Sequence, residues 1–150
     1  MKRCKAIFIG LGLLLAVGLV ALLVWLPGQN GNDTEKLQGR WRLVAQAADG
    51  QPETTTDLKD LLFVVDDDRA TIVHDDEPIE TTYTLGMTKR PKTIDMMILD
   101  GPEQGKTIEA IYSFDGDNLK LCWNEDTFER PSGFQSKQHL VVSTFKRQGL

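Results

Sequence analysis

Residues 107–123, which read TIEAIYSFDGDNLKLCW, carry the pattern that decides the fold. Apolar and polar side chains alternate on both sides of the turn-forming stretch DGDN at positions 115–118. Successive side chains of a β-strand point to opposite faces, so this pattern predicts an antiparallel hairpin with one buried and one wetted face. The apolar members are Ile108, Ala110, Tyr112 and Phe114 before the turn and Leu119, Leu121 and Trp123 after it.

Outward from this hairpin, further short stretches rich in β-forming residues recur between turn signals, about 8–12 residues apart. The predicted strands are 39–47, 61–65, 69–74, 79–85, 93–99, 107–114, 119–123 and 139–146. An all-β, antiparallel up-and-down meander of about eight strands removes its exposed edges by closing into a small barrel, and a two-sheet sandwich is the alternative. Residues 56–62 are predicted to form one helical turn capped by Asp57.

The predicted inner face of this barrel is rich in aromatic side chains. An eight-stranded barrel can either hold one small molecule or be filled by its own side chains, and the sequence leaves both open. The candidate ligand-lining residues are Phe63, Tyr83, Met96, Tyr112, Phe114 and Trp123, with Ile94, Ile98 and Leu121 beside them.

Several motifs appear in a recognisable order along the same region. Gly39-Arg40-Trp41 is similar to the Gly-x-Trp signature of lipocalin-type barrels. The longer pattern comprises Leu37-Gln38-Gly39-x-Trp41, Arg90-Pro91-Lys92-Thr93-Ile94-Asp95, Asp100-Gly101-Pro102-x-x-Gly105-Lys106-Thr107, Ile111-Tyr112-x-x-Asp115-Gly116-Asp117-x-Leu119-Lys120-Leu121-Cys122, Glu129-Arg130-Pro131 and Phe134. In this order it resembles a lipocalin-like domain family of unknown function that is expanded in planctomycete bacteria.

The resemblance covers nearly all of residues 35–147 and implies a barrel carried behind an export signal. It also implies structural roles for Gly39, Trp41 and Arg147, with Trp41 plugging one barrel end under a basic residue of the last strand, Arg147 or its neighbour Lys146. The family offers no catalytic or ligand-binding residues that could be carried over. The resemblance therefore bears on fold and compartment and leaves the activity open.

The N-terminal residues predict where the protein is located. Residues 6–26 form an uncharged apolar run that would span about 30 Å as a helix, which matches the hydrocarbon core of a bilayer. Lys2, Arg3 and Lys5 precede it, so we expect a single-pass cell-membrane anchor with a cytoplasmic N-terminus and an extracytoplasmic domain. The alternative is a cleaved signal that leaves a secreted or periplasmic protein. The predicted organisation is an anchor over 1–26, a flexible tether over 27–36 and a barrel over 37–150.

The part outside the membrane is acidic. All 22 acidic residues but only 14 of the 17 Lys and Arg lie after residue 26, which gives this part a formal net charge of 14 − 22 = −8. This charge argues against nucleic-acid binding. The expected contacts are the membrane through residues 6–26 and either a small apolar ligand or an envelope partner, meaning a protein or the cell wall.

The candidate chemical sites have simpler structural interpretations. The acidic runs 66–68 and 75–77 lack the spacing of a calcium loop and are predicted to be solvated turns. His74, His139 and Cys122 lack metal-ligand spacing, and Cys122 is predicted to be an inert, partly buried thiol. We therefore expect no metal and no cofactor.

The sequence gives no sign of nucleophilic catalysis either. Ser132, Ser136 and Ser143 belong to no Gly-x-Ser-x-Gly motif. Glu129-Arg130-Pro131 is predicted to fix a loop through a salt bridge, with ligand contact as the alternative. The domain is therefore expected to be non-enzymatic.

Overall fold

A ring of eight antiparallel strands dominates the computed structural model, which describes residues 32–53 and 61–149. One short helix precedes the ring, and one two-residue strand extends it. The elements are α1 Asp33–Leu37, β1 Gly39–Ala48, β2 Gln51–Pro52, β3 Leu62–Asp66, β4 Arg69–His74, β5 Glu77–Gly86, β6 Lys92–Ile98, β7 Thr107–Asp115, β8 Asn118–Asn124 and β9 Leu140–Arg147.

The first and last strands pair with each other and close the barrel. Strands β3 to β9 follow one another in chain order, and β1 lies between β3 and β9. Trp41 is opposite Arg147 and Ala48 is opposite Val141, with a register shift between Leu43 and Ala45. The predicted all-β closed meander is confirmed, and each predicted strand is within two residues of its observed bounds.

Acidic residues form several of the tight turns between the strands. Asp75 and Asp76 join β4 to β5 with φ values of 51° and 65°, and Asp67 lies in the β3–β4 turn with φ 51°. The short Asp side chain tolerates this left-handed region better than most residues do. The two acidic runs therefore lie in exposed turns that the backbone geometry explains.

The core lies inside the ring, as the alternation predicts. The nine predicted inner-face residues all belong to the inward-pointing series or pack against the core. Of these, Phe63, Ile94, Met96, Ile98, Tyr112 and Leu121 are buried, and Tyr83, Phe114 and Trp123 are partly buried.

The predicted tether over residues 27–36 is wrong for its second half. Residues 33–36 belong to α1, which Asn32 caps by accepting a hydrogen bond from the Thr34 amide at 3.2 Å. Asp33 is 5% exposed and Leu37 is fully buried against the barrel. The folded domain thus begins several residues before position 37, while residues 27–31 lie outside the described residues.

Two other predictions fall wholly or partly outside the described residues. Of the predicted helical turn over 56–62, residues 56–60 are not described, and Leu62 is the first residue of β3 instead. The predicted anchor over 6–26 is likewise not described. Within residues 32–53 and 61–149, no helix has the length and apolar character needed to cross a membrane.

Candidate functional site

The barrel end that carries α1, called the α1 end below, is closed around Trp41. The guanidinium of Arg147 lies 4.2 Å from the centre of the Trp41 ring, and the indole Nε1 donates to the Leu37 carbonyl at 2.8 Å. Arg147 also donates to the carbonyls of Gln38, at 2.7 Å, and Lys36. A cation over an aromatic face is attracted by the ring quadrupole, so this arrangement binds β9, β1 and α1 together.

Gly39 belongs to the same arrangement. Its φ is +112°, and a Cβ atom at this position would lie 3.2 Å from Nη1 of Arg147. A side chain here would therefore combine backbone strain with crowding of the guanidinium. The structure brings Gly39, Trp41 and Arg147 into one cluster, whereas Lys146 is exposed on the neighbouring position. Their structural importance is a prediction that mutation can test.

A partly buried ion pair fastens α1 to β6, and a hydrogen bond from Tyr112 fastens it to β7. Asp33 accepts hydrogen bonds from Lys92 Nζ and from the Tyr112 hydroxyl, both at 2.7 Å. Burial alone would raise the pKa of Asp33, but the bonds from Lys92 and Tyr112 and the positive charges of Lys92 and Lys36 together lower it below 3.8. Burial and the adjacent Asp33 carboxylate raise the pKa of Tyr112. Asp33 is therefore held as a carboxylate and Tyr112 as a neutral donor.

Three of the six predicted ligand-lining side chains pack at the α1 end of the interior, namely Phe63, Tyr112 and Phe114. The Phe114 ring lies 5.9 Å from that of Trp41 and 5.7 Å from that of Tyr112, and Phe63 lies 5.9 Å from Phe145. Tyr112 and Phe63 are each 1% exposed. These aromatic residues pack against one another, and Lys36 Nζ lies 5.3 Å from the centre of the partly buried Phe114 ring.

Tyr83 occupies a different position, at the rim of the barrel. Its hydroxyl donates to the Asp67 carbonyl at 2.8 Å and accepts from Gln38 Nε2 at 3.0 Å. It lines a groove of about 490 Å3 together with residues of α1 and the β5–β6 turn, including Met87. Its hydroxyl is thus occupied by backbone and amide groups that fix the β3–β4 turn.

The opposite end of the barrel, called the far end below, leaves apolar inward-facing side chains accessible. The last β5–β6 pair is Thr81 with Ile98, so residues 77–80 extend beyond β6. Ile79 lies on the same face as buried Thr81 and is 43% exposed. The partly buried apolar residues on the same inner face towards this end are Ile72, Ile108 and Trp123.

The connection between β8 and β9, residues 125–139, crosses the outer face of the sheet and is called the crossing loop below. Arg130 fixes it by donating to Asp95 Oδ1 at 2.6 Å and to the Ala110 carbonyl at 2.8 Å, with Glu109 at 3.9 Å. The predicted salt bridge in Glu129-Arg130-Pro131 therefore exists, but its acidic partner is Asp95 on β6. Pro131, the next residue of the crossing loop, is buried.

The remaining candidate residues have structural surroundings. Cys122 is fully buried under the crossing loop, and burial raises the pKa of its thiol to about 11, which matches an inert thiol. The Ser136 hydroxyl accepts from the Gly50 amide at 2.8 Å, and Ser143 bonds Gln46. His139 lies 2.6 Å from Asp126. In the described part of the chain, no three His, Cys, Asp or Glu residues are grouped as a metal site would require.

Sequence reasoning missed the Asp33–Lys92 pair and the exposure of Ile79. The pair joins residues 59 positions apart, for which the local sequence carries no signal. Ile79 is the first residue of the predicted strand 79–85, but its exposure depends on where the neighbouring strand β6 ends. That end is set by the pairing of Thr81 with Ile98.

Comparison of the chain with known proteins found no related protein. No family model, no curated protein and no solved structure matches it. The lipocalin-like resemblance therefore stays a prediction from the quoted motifs. The structure itself establishes a closed, all-β barrel of eight antiparallel strands.

Proposed function

We propose that the domain is a non-enzymatic binding module that takes a small apolar molecule at the far end of its barrel. The observation that carries this proposal is Ile79, which faces inward yet is 43% exposed. Full burial of an isoleucine side chain is favourable by roughly 1.5–3 kcal/mol of free energy, so covering Ile79 would contribute to binding. Ile72, Ile108 and Trp123 extend the same accessible apolar surface.

The contrast with the α1 end supports this choice of site. There the inward side chains are already covered by α1, Arg147 and one another, so a ligand would have to displace packed aromatic rings. At the far end a ligand would instead cover surface that is exposed to water. The proposed location is the extracytoplasmic side of the membrane, with residues 6–26 as a single-pass anchor, because that run has the length and flanking charge of one.

A fluorescence titration of the fragment 32–150 with a fatty acid or an apolar dye tests the binding site. We expect saturable binding with a micromolar Kd, or about −8 kcal/mol, and a change in Trp123 emission. Ile79→Ser should weaken it about tenfold or more. Met97→Ser is the matched control, because Met97 is 44% exposed but lies between inward-facing Met96 and Ile98 and so points outward.

Four results would contradict parts of this proposal. Equal binding by the Ile79 and Met97 variants would exclude the far end, and no saturable binding at all would favour an envelope partner instead. Substrate turnover that a single Asp, Glu, His or Ser substitution abolishes would show an enzyme. Recovery of a soluble mature chain that begins near Leu19, after carbonate washing of the membranes, would replace the anchor by a cleaved signal.

A further inference from the structure

A sizeable cleft lies on the outside of the barrel, away from the proposed far-end site. It has a volume of about 650 Å3 and lies between the β5–β6 turn, the outer faces of β6 and β7 and the crossing loop. We call it the outer cleft. Binding sites for small molecules typically measure about 300–1,000 Å3, so its size suits one. Its lining residues are Lys89, Arg90, Pro91, Thr93, Asp95, Ile111, Arg130, Pro131 and Ser132.

The charge of the outer cleft is opposite to that of the domain. Three cationic side chains and one carboxylate, that of Asp95, line it. The chain after residue 26 has instead a formal net charge of −8. Arg130 is already occupied by Asp95 and by the Ala110 carbonyl. Lys89 and Arg90 form no ion pair with any residue in the described ranges. These two positive charges are therefore available to a ligand.

The turn that carries them is packed against β6 at its first residue and closed by a backbone hydrogen bond. A Cβ atom on Gly86 would lie 2.2 Å from Oγ1 of Thr93, so the turn packs against β6 too closely for any larger residue. The Lys89 amide donates to the Gly86 carbonyl at 3.2 Å. Next to it, Lys92 is paired with Asp33. A fixed turn loses less conformational entropy when a ligand binds.

Arg90 lines the outer cleft and forms hydrogen bonds through only one of its guanidinium nitrogens in the described residues. Its Nη1 donates to the carbonyls of Met87, at 3.2 Å, and Lys89, at 2.7 Å. Its Nε and Nη2 have no hydrogen-bond acceptor among the described residues. This pair of parallel donors matches two oxygens of a carboxylate or phosphate. The hydroxyls of Thr93 and Ser132 add donors, and the partly buried Pro91 adds apolar surface for the rest of a ligand.

We propose that the outer cleft binds a small oxyanion, with the Nε–Nη2 edge of Arg90 receiving a carboxylate or phosphate group and Lys89 supplying a second positive charge. The site is separate from the far end in both position and chemistry. It therefore does not depend on whether an apolar molecule binds there.

Calorimetric titration of the full chain in a nonionic detergent tests this site with two probes, benzoate as a carboxylate on an apolar body and inorganic phosphate. We expect saturable binding of at least one probe, and whichever binds identifies the oxyanion class. Arg90→Gln should raise its Kd about tenfold or more, because hydrogen bonds to charged groups are the strong ones. Arg40→Gln on β1 is the matched control, since it removes the same charge from an exposed residue that does not line the cleft.

Lys89→Gln provides an independent variant in case the turn depends on the Arg90 bonds to its own backbone. It should weaken binding while the melting temperature stays that of the native chain. The proposal is overturned if neither probe saturates at millimolar concentration. It is equally overturned if the Arg90 and Lys89 variants bind both probes as tightly as the Arg40 control.

Discussion

The two ends of the barrel are built from the same strands but differ in how their inward side chains are covered. At the α1 end, Trp41 is 1% exposed beneath Arg147 and α1. At the far end, Ile79 is 43% exposed although it belongs to the same inward-facing series. The difference arises because α1 and the aromatic cluster cap one end, while β5 extends beyond β6 at the other.

This contrast shows that an inward direction does not by itself make a residue part of the packed core. The strand alternation assigns Phe63 and Ile79 to the same face, yet only Phe63 is covered by neighbours. We infer that stability is concentrated at the α1 end and that the far end is free to exchange water for a ligand. The following predictions test this division.

The largest expected effect comes from removing the ring at the α1 end. Trp41→Ala should lower the free energy of unfolding by about 3–5 kcal/mol, because it removes a fully buried ring and its packing. Trp123→Ala should cost less, about 1–3 kcal/mol, because that ring is only partly buried. Urea denaturation of fragment 32–150 measures both values. Equal losses, or a Trp41 variant that melts within a degree of the parent, would refute the proposed concentration of stability.

A smaller, pH-dependent effect is expected at the ion pair that fastens α1. Since the folded-state pKa of Asp33 lies below its ordinary value of 3.8, the folded protein binds fewer protons there than the unfolded chain. The stabilisation is therefore present above about pH 4 and is lost as the pH falls through the folded-state pKa. Asp33→Asn should cost about 1–3 kcal/mol at neutral pH by weakening the bonds to Lys92 and Tyr112.

Unfolding of the native and Asp33→Asn proteins between pH 6 and pH 3 checks the sign. The difference between their free energies of unfolding should shrink as the medium becomes more acidic. Glu35→Gln is the control, because Glu35 lies on the same helix but is exposed. A difference that stays constant or grows towards low pH would mean that the Asp33 charge does not stabilise the docking of α1.

The smallest effect on stability is expected at the far end. Ile79→Ser should change the free energy of unfolding by no more than about 0.5 kcal/mol, as for most exposed substitutions. Ile94→Ser, on the same face but fully buried, should cost several kcal/mol, at least about 2. Thermal unfolding compares the pair. A large loss from the Ile79 variant would show that this residue belongs to the core and would remove the basis for a ligand site there.

The sequence predicted the features that depend on local periodicity. Stretches rich in β-forming residues between turn signals placed the eight barrel strands. Alternation predicted the inner face, because a side-chain period of two is a property of the strand itself. The pairing of Asp33 with Lys92 and of Arg130 with Asp95 could not be predicted, since each joins distant residues whose proximity depends on the closed ring. The same local reasoning wrongly predicted a flexible tether over residues 33–36, since four polar residues in a row carry no periodic signal.

The sequence by itself thus determined the all-β class, the strand order and the inward-facing set, because hydrophobic burial selects one face of every strand. Only the tertiary structure decided which inward residues are covered, because coverage depends on the docking of α1 and on where each strand ends. It also decided that Lys89, Arg90 and Arg130 line one cleft, although the first and the last lie 41 positions apart in the sequence. Positive charges so far apart in sequence meet only when the crossing loop folds over β6 and β7.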